Sequence, residues 1–126
     1  MSIARVLVAD SSPLVRERMV AALIHALGEA RVEEAESHHE MLDALDRFSP
    51  HVVLFDAGLS HDSIADLVAR TSRSGSSKGR VVVLASDRVS YAAHCLAAGA
   101  AEVIDRSDSD SAVRAVKTIL HERTDA

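Results

Sequence analysis

Two apolar runs in this sequence end in carboxylates: RVLVAD stops at Asp10 and HVVLFD stops at Asp56. A third, VVVLAS, stops at Ser86, and AEVID is followed at once by Arg106. Two carboxylates brought into one crevice offer hard oxygen ligands to a divalent cation such as Mg2+, which keeps several waters and commonly bridges carboxylate and phosphate. A basic side chain opposite them would complete a phosphate pocket. Other chemistries find less support. No Ser-His-Asp or G-x-S-x-G nucleophile arrangement is present, and Lys78 lacks the spacing of a phosphate-binding G-x-x-x-x-G-K-[ST] loop. His38 and His39 are sequential and cannot share a helix face, while His25, His94 and His121 are isolated, so a histidine metal cluster is not expected. His61 and Asp62 are the one histidine–acid pair near the predicted crevice and are read as a surface loop.

Whether Asp10 and Asp56 meet depends on the elements that carry them. Four short runs, Ile3–Ala9, His51–Phe55, Arg80–Ala85 and Ala101–Ile104, have the Val/Ile/Leu density of buried strands, and Arg31–Glu36 alternates like an edge strand with one wet face. Between them, Leu14–Leu27 places Val15, Met19, Leu23 and Leu27 on one stripe, and His39–Phe48 places Leu42, Leu45 and Phe48 on another. Asp62–Thr71 (Ile64, Leu67, Val68), Ser90–Ala98 with Tyr91, His94, Cys95 and Ala98 on its core-facing stripe, and Ser109–Leu120 (Val113, Val116, Ile119, Leu120) continue the alternation. Ser12 before Pro13 and the Ser109/Asp110/Ser111 cluster mark helix starts, and Gly28 and Gly99 mark helix ends. Ser72–Gly79 (SRSGSSKG) reads as a solvated loop.

The string is therefore (βα)5, an α/β fold. Alternating strands and helices require parallel pairing with right-handed crossovers, giving a doubly wound sheet inside a three-layer αβα sandwich. In a flavodoxin-like order, 2-1-3-4-5, the first and third strands are neighbours where the order reverses, and Asp10 and Asp56 then face each other across one crevice.

Bulk properties agree. The 126 residues fit one compact domain, and 48% hydrophobic with 26% charged residues is ordinary for a globular chain. Without Trp, and with only Tyr91, Phe48 and Phe55 as aromatics, the core must be aliphatic. A net charge of -5 with no basic stripe argues against nucleic-acid binding. Cys95, the lone cysteine, excludes an internal disulfide and is assigned to core packing. No apolar run approaches membrane-spanning length and the opening MSIARVLVAD lacks a signal-peptide layout, so a cytoplasmic location away from membranes is expected.

Four segments resemble the receiver domain of bacterial two-component response regulators. RVLVADSSPLVRERM is similar to that family's first strand and helix; VEEAESHHEMLDAL resembles its E-A-x-(x)3-E-A-L entry to the second helix; SPHVVLFDAGL resembles P-D-L-V-L-L-D-I-x-M; AGAAEVIDRS resembles A-G-A-x-D-Y-L-x-K-P. The likeness covers nearly the whole chain, 1–126, in register. It implies that Asp56 accepts a phosphoryl group from a histidine kinase or phosphotransfer protein, that Gly58 lies where a backbone carbonyl ligates the metal, and that signalling runs by protein contact, including homodimerisation, through the face of the fourth helix, fifth strand and fifth helix. Independent enzymatic turnover is not implied.

The sequence departs from the family pattern in its presumed machinery. The second acid of the metal-binding pair is Ser11, the lysine is Arg106, the phosphate-contacting Thr/Ser falls on Ala85 or Ser86, the aromatic switch is Val103, the following Pro is Ser107, and M-P-x-M-D-G is replaced by LSHDSI. Each unit-charge pair at ~4 Å and an effective dielectric near ~20 is worth about 4 kcal/mol before desolvation. Even a third of that is about tenfold in affinity, so Mg2+ binding is expected to be weak. Two versions follow: a receiver with weakened phosphorylation at Asp56, or a phosphorylation-independent docking module in which an Arg106–Asp56 pair imitates an occupied pocket. A flavodoxin-like small-molecule binder is the remote alternative, disfavoured because SSPLVR, not a glycine-rich loop, follows the first strand.

Overall fold

The computed structural model describes residues 3–59, 66 and 80–124. Five parallel strands form one sheet: β1 (Ala4–Ala9), β2 (Ala30–Ala35), β3 (Val52–Asp56), β4 (Arg80–Ala85) and β5 (Glu102–Asp105), in the order β2-β1-β3-β4-β5. The helices with defined bounds are α1 (Pro13–Leu27), α2 (His38–Phe48), α3 (Arg88–Ala97) and α4 (Ser109–Thr124). The predicted helix Asp62–Thr71 and the loop Ser72–Gly79 lie, apart from Asp66, outside the described residues.

The strand period of two sorts the core into two layers. Leu7, Ala9, Val53, Phe55, Val81, Val83 and Ala85 point to the face covered by α2 and α3, where Met41, Leu45 and Cys95 meet them. Val6, Val8, Val52, Leu54, Val82 and Leu84 point to the opposite face and pack on Met19 and Leu23 of α1 and on Val116 and Ile119 of α4. Helices on both faces explain why the central strands read as unbroken apolar runs, and why β2, at the edge, does not.

Most element bounds shift by one or more residues from the pattern reading, and local contacts are visible at the starts of β3, α3 and α4. β3 begins at Val52 and includes Asp56, because His51 is engaged with β1: its Nδ1 accepts from the Arg5 N–H at 3.0 Å. α3 begins at Arg88, two residues before the predicted start, because the Asp87 carboxylate accepts from the Ser90 N–H at 3.2 Å. α4 is capped by Asp108, which accepts from the Ser111 N–H at 3.0 Å, so the Ser109–Ser111 cluster forms the first turn instead of the cap. Elsewhere the signals hold. Ser12 accepts from the Val15 N–H with Pro13 as first helical residue, and Gly28, at φ 69, ends α1 with its N–H on the Ile24 carbonyl.

Leu54 has no exposed surface and Val89 is 88% exposed. Leu54→Ala is expected to cost about 2–5 kcal/mol in urea unfolding, and Val89→Ala less than about 0.5 kcal/mol. The Ser90 and Ser111 hydroxyls, and then their N–H groups, hold the Asp87 and Asp108 carboxyls below the usual 3.8. A carboxyl depressed on folding stabilises fully above its unfolded value and loses that contribution as pH falls through the folded one. Stability should therefore decline below pH 3.8, and Asp108→Asn should flatten that acid limb.

Candidate functional site

The site forms where β1 and β3 end side by side. Ala9 is in register with Phe55, so the next residue of each strand, Asp10 and Asp56, stand opposite each other at the reversal of strand order. Asp10 is wholly buried and Asp56 is 7% exposed. A cleft of about 340 Å³ opens above them, lined by Asp56, Gly58, Ser86, Asp87, Tyr91 and Arg106 among others.

Asp10 is held on every side. Its N–H donates to the Ala35 carbonyl of β2 at 3.0 Å, and its carbonyl accepts from Arg16 Nη1 at 2.6 Å. Its Oδ1 accepts from the Ser12 N–H at 2.8 Å and from Arg106 Nη2, and its Oδ2 accepts from Arg106 Nε at 3.0 Å. The Arg106 fork thus lies flat along one carboxylate, the geometry in which a guanidinium bonds best. The hydrogen bonds to Asp10, with the Asp10 and Asp56 charges, push the Arg106 pKa up against the opposing effect of burial.

The expected Arg106–Asp56 pair is present, as the weaker of two ion pairs made by the same guanidinium. Arg106 Nη2 does reach Asp56 Oδ2, but at 3.5 Å, a looser contact than the two bonds to Asp10. Asp56 turns its other oxygen to the Gly58 N–H at 3.0 Å, leaving only one to face the guanidinium, whereas Asp10 presents both. Arg106 itself is anchored by its N–H on the Ala85 carbonyl at 3.2 Å.

The remaining candidates separate by exposure. Ser11 is exposed, beyond the acidic pair. Ala85 is buried as the last residue of β4 and Ser86 is exposed; both line the cleft, and of the two only Ser86 has a hydroxyl. Val103 is buried with the α2/α3 core layer. Cys95 has no exposed surface, and burial pushes its thiol pKa up, which makes it a poor nucleophile. His61, Asp62 and all of LSHDSI except Leu59 lie outside the described residues.

Three contributors escaped the sequence reading. Arg16, tied to Glu34 at 3.2 Å, tethers the Asp10 backbone, and its signal was a basic residue one turn into α1. Tyr91 was assigned to the core stripe of its helix but is 41% exposed and lines the cleft. Asp87 both caps α3 and lines the cleft.

This donor set suits a divalent cation poorly. Asp10 already accepts N–H bonds from Ser12 and from both Nε and Nη2 of Arg106, and Asp56 Oδ1 accepts the Gly58 N–H, so few carboxylate lone pairs are left uncommitted. Among the described residues no group of three or more His, Cys, Asp or Glu could hold a metal. Nor, among them, is any helix long and apolar enough to cross a membrane.

Residues 6–117 match the family model of the response regulator receiver domain. The signal receiver domain of the NarL response regulator from Mycobacterium tuberculosis is 28% identical, with a TM-score of 0.77 over 94% of this chain and 96% of that one. A LuxR-family two-component response regulator from Aurantimonas sp. SI85-9A1 is 25% identical, with a TM-score of 0.78 over 96% of this chain and 87% of that one. A CheY-like receiver domain protein from Methanospirillum hungatei JF-1 shares the fold at 18% identity, with a TM-score of 0.79 over 99% and 100% of the two chains. No curated protein matches the chain.

Removing the guanidinium would leave Asp10 buried and unpaired. Arg106→Ala is expected to destabilise the fold by about 3–5 kcal/mol at neutral pH, measured by denaturant unfolding, with Arg106→Lys intermediate. Because the bonds to Asp10 raise the Arg106 pKa above an already strongly basic value, its contribution is fully present at neutral pH and is lost only in strong alkali, so the loss in Arg106→Ala should be constant from about pH 6 to 10.

Proposed function

The chain belongs to the response regulator receiver domain family, the receiving module of two-component signal transduction, and we propose from that premise that Asp56 is its phosphoacceptor, working at reduced efficiency. The observation that carries the proposal is the placement of Asp56: it ends β3 at the cleft, with Oδ2 3.5 Å from the guanidinium of Arg106. In the transfer, Asp56 Oδ2 attacks phosphorus, the phosphorus–nitrogen bond of a phosphohistidine breaks, and the imidazole keeps the electron pair and takes a proton. Arg106 is placed to face the charge of the resulting acyl phosphate, and Ser86 to donate a hydroxyl. The neutral Ser11 and the commitment of Arg106 to Asp10 both lower the expected efficiency.

The donor would be a histidine kinase or phosphotransfer protein. The output would be a shift in protein contacts, not turnover, because a receiver responds through the different affinities of its two states for the phosphate. We assign those contacts, including self-association, to the face of α3, β5 and α4, where Val89 and Leu96 of α3 stand exposed. A cytoplasmic location and no direct contact with nucleic acid complete the proposal; the net charge of -5 supports the latter.

A second reading has its own observation. The bidentate Arg106–Asp10 bond holds the pocket closed in charge without any phosphate, which suits a docking module that never needs the modification. Treatment with a small phosphodonor, followed by intact mass measurement, decides between them. The proposal predicts a substoichiometric adduct of one phosphoryl group that vanishes in Asp56→Asn. An unmodified mass with every donor and cation tried would overturn it in favour of constitutive docking.

A further inference from the structure

We infer that Arg106 is the resident cation of this acidic cleft: its guanidinium takes the position a divalent ion would have to occupy, so the site works at fixed charge and does not respond to Mg2+. This rests on reading Asp10 as the surviving acid of the family's metal-binding pair and Asp56 as its phosphoacceptor position, but not on whether Asp56 is phosphorylated.

The position of the guanidinium is that of a bridging cation. Nε and Nη2 bond Asp10, and the same Nη2 lies 3.5 Å from Asp56 Oδ2, so one group of unit charge spans both carboxylates. A Mg2+ ion needs near-octahedral oxygens at about 2.0–2.1 Å, with one or two of them from protein carboxylates. Three of the roughly four lone pairs of the Asp10 carboxylate are directed at Ser12 N–H, Arg106 Nε and Arg106 Nη2. Entry of the ion would require Arg106 to leave a bidentate bond to a fully buried partner, and would then set a dication beside a displaced guanidinium.

The charge count points the same way. Asp10, Asp56 and Arg106 together leave a single net negative charge, half of what neutralises a dication; the further carboxylate lining the cleft, Asp87, is engaged by the Ser90 N–H and hydroxyl, and the exposed neighbour of Asp10 is the neutral Ser11. The pair is also braced from behind. Arg106 is fixed through its N–H to the Ala85 carbonyl, and Asp10 through its carbonyl to Arg16, which is itself paired with Glu34. A surface ion pair on two free side chains would yield to a competing ion; one fixed at both backbones has little freedom to do so.

Thermal unfolding with EDTA and with about 10 mM Mg2+ tests the inference on the intact chain. The midpoints of the unaltered protein should coincide within about 1 °C, whereas Arg106→Gln, with both carboxylates uncovered, should gain a few degrees from Mg2+. If Arg106→Gln does not fold, the Arg106 Nε–H resonance of the unaltered protein decides instead: it should stay protected from exchange and unmoved through an Mg2+ titration. A Mg2+-dependent rise in the unaltered protein, a folded variant as indifferent to Mg2+ as its parent, or a resonance that shifts on titration would each overturn it. None of these readouts registers phosphorylation, so failure of the phosphoacceptor proposal, seen in the intact mass, is distinguishable.

Discussion

A carboxylate with no exposed surface stays ionised in a protein interior only if a cation and hydrogen-bond donors replace the water it has lost. Asp10 is such a carboxylate, and Arg106 with the Ser12 N–H supplies the replacement. The consequences reach across the sheet. Asp10 follows β1 and Arg106 follows β5, with β3 and β4 between them, so this one bond ties β1 to the edge strand β5 across two intervening strands. It also fixes the charge against which Asp56 must react, because the guanidinium that reaches Asp56 Oδ2 is already shared with Asp10.

The sheet makes that bond feasible. Strands covered on both faces have no polar positions to spare, so charged side chains collect where the strands end, and the reversal of order between β1 and β3 turns those ends into a cleft. The buried aliphatic layers hold the strand ends in place, and the caps at Ser12, Asp87 and Asp108 start three helices at the same end of the sheet. Stability and the site are therefore coupled at one rim. A change to Arg106 is a change to both.

Much of this was legible in the sequence. Unbroken Val/Leu runs located the buried strands, polar alternation placed β2 at an edge, and the acids closing two runs marked the site once the strand order was known. What was not legible was partner choice. Arg106 had two carboxylates within reach, and which one it grips depends on how each turns its oxygens: Asp56 gives one to Gly58, Asp10 gives both to the fork. No periodicity encodes that. Tyr91 fell on the apolar stripe of its helix by spacing, yet α3 begins at Arg88 under the Asp87 cap and leaves the ring 41% exposed beside the cleft. Arg16 shows the same limit, since its role is set by an Asp10 carbonyl whose direction only the folded loop defines.

The most direct test of this account is a double-mutant cycle on Asp10 and Arg106, using Asp10→Asn, Arg106→Gln and the double variant, with unfolding free energies measured in urea. If the bond between them organises the rim, the two losses should overlap, giving a coupling of about 2–3 kcal/mol. Losses that add to within about 0.5 kcal/mol would contradict it, showing that the two side chains stabilise the protein independently.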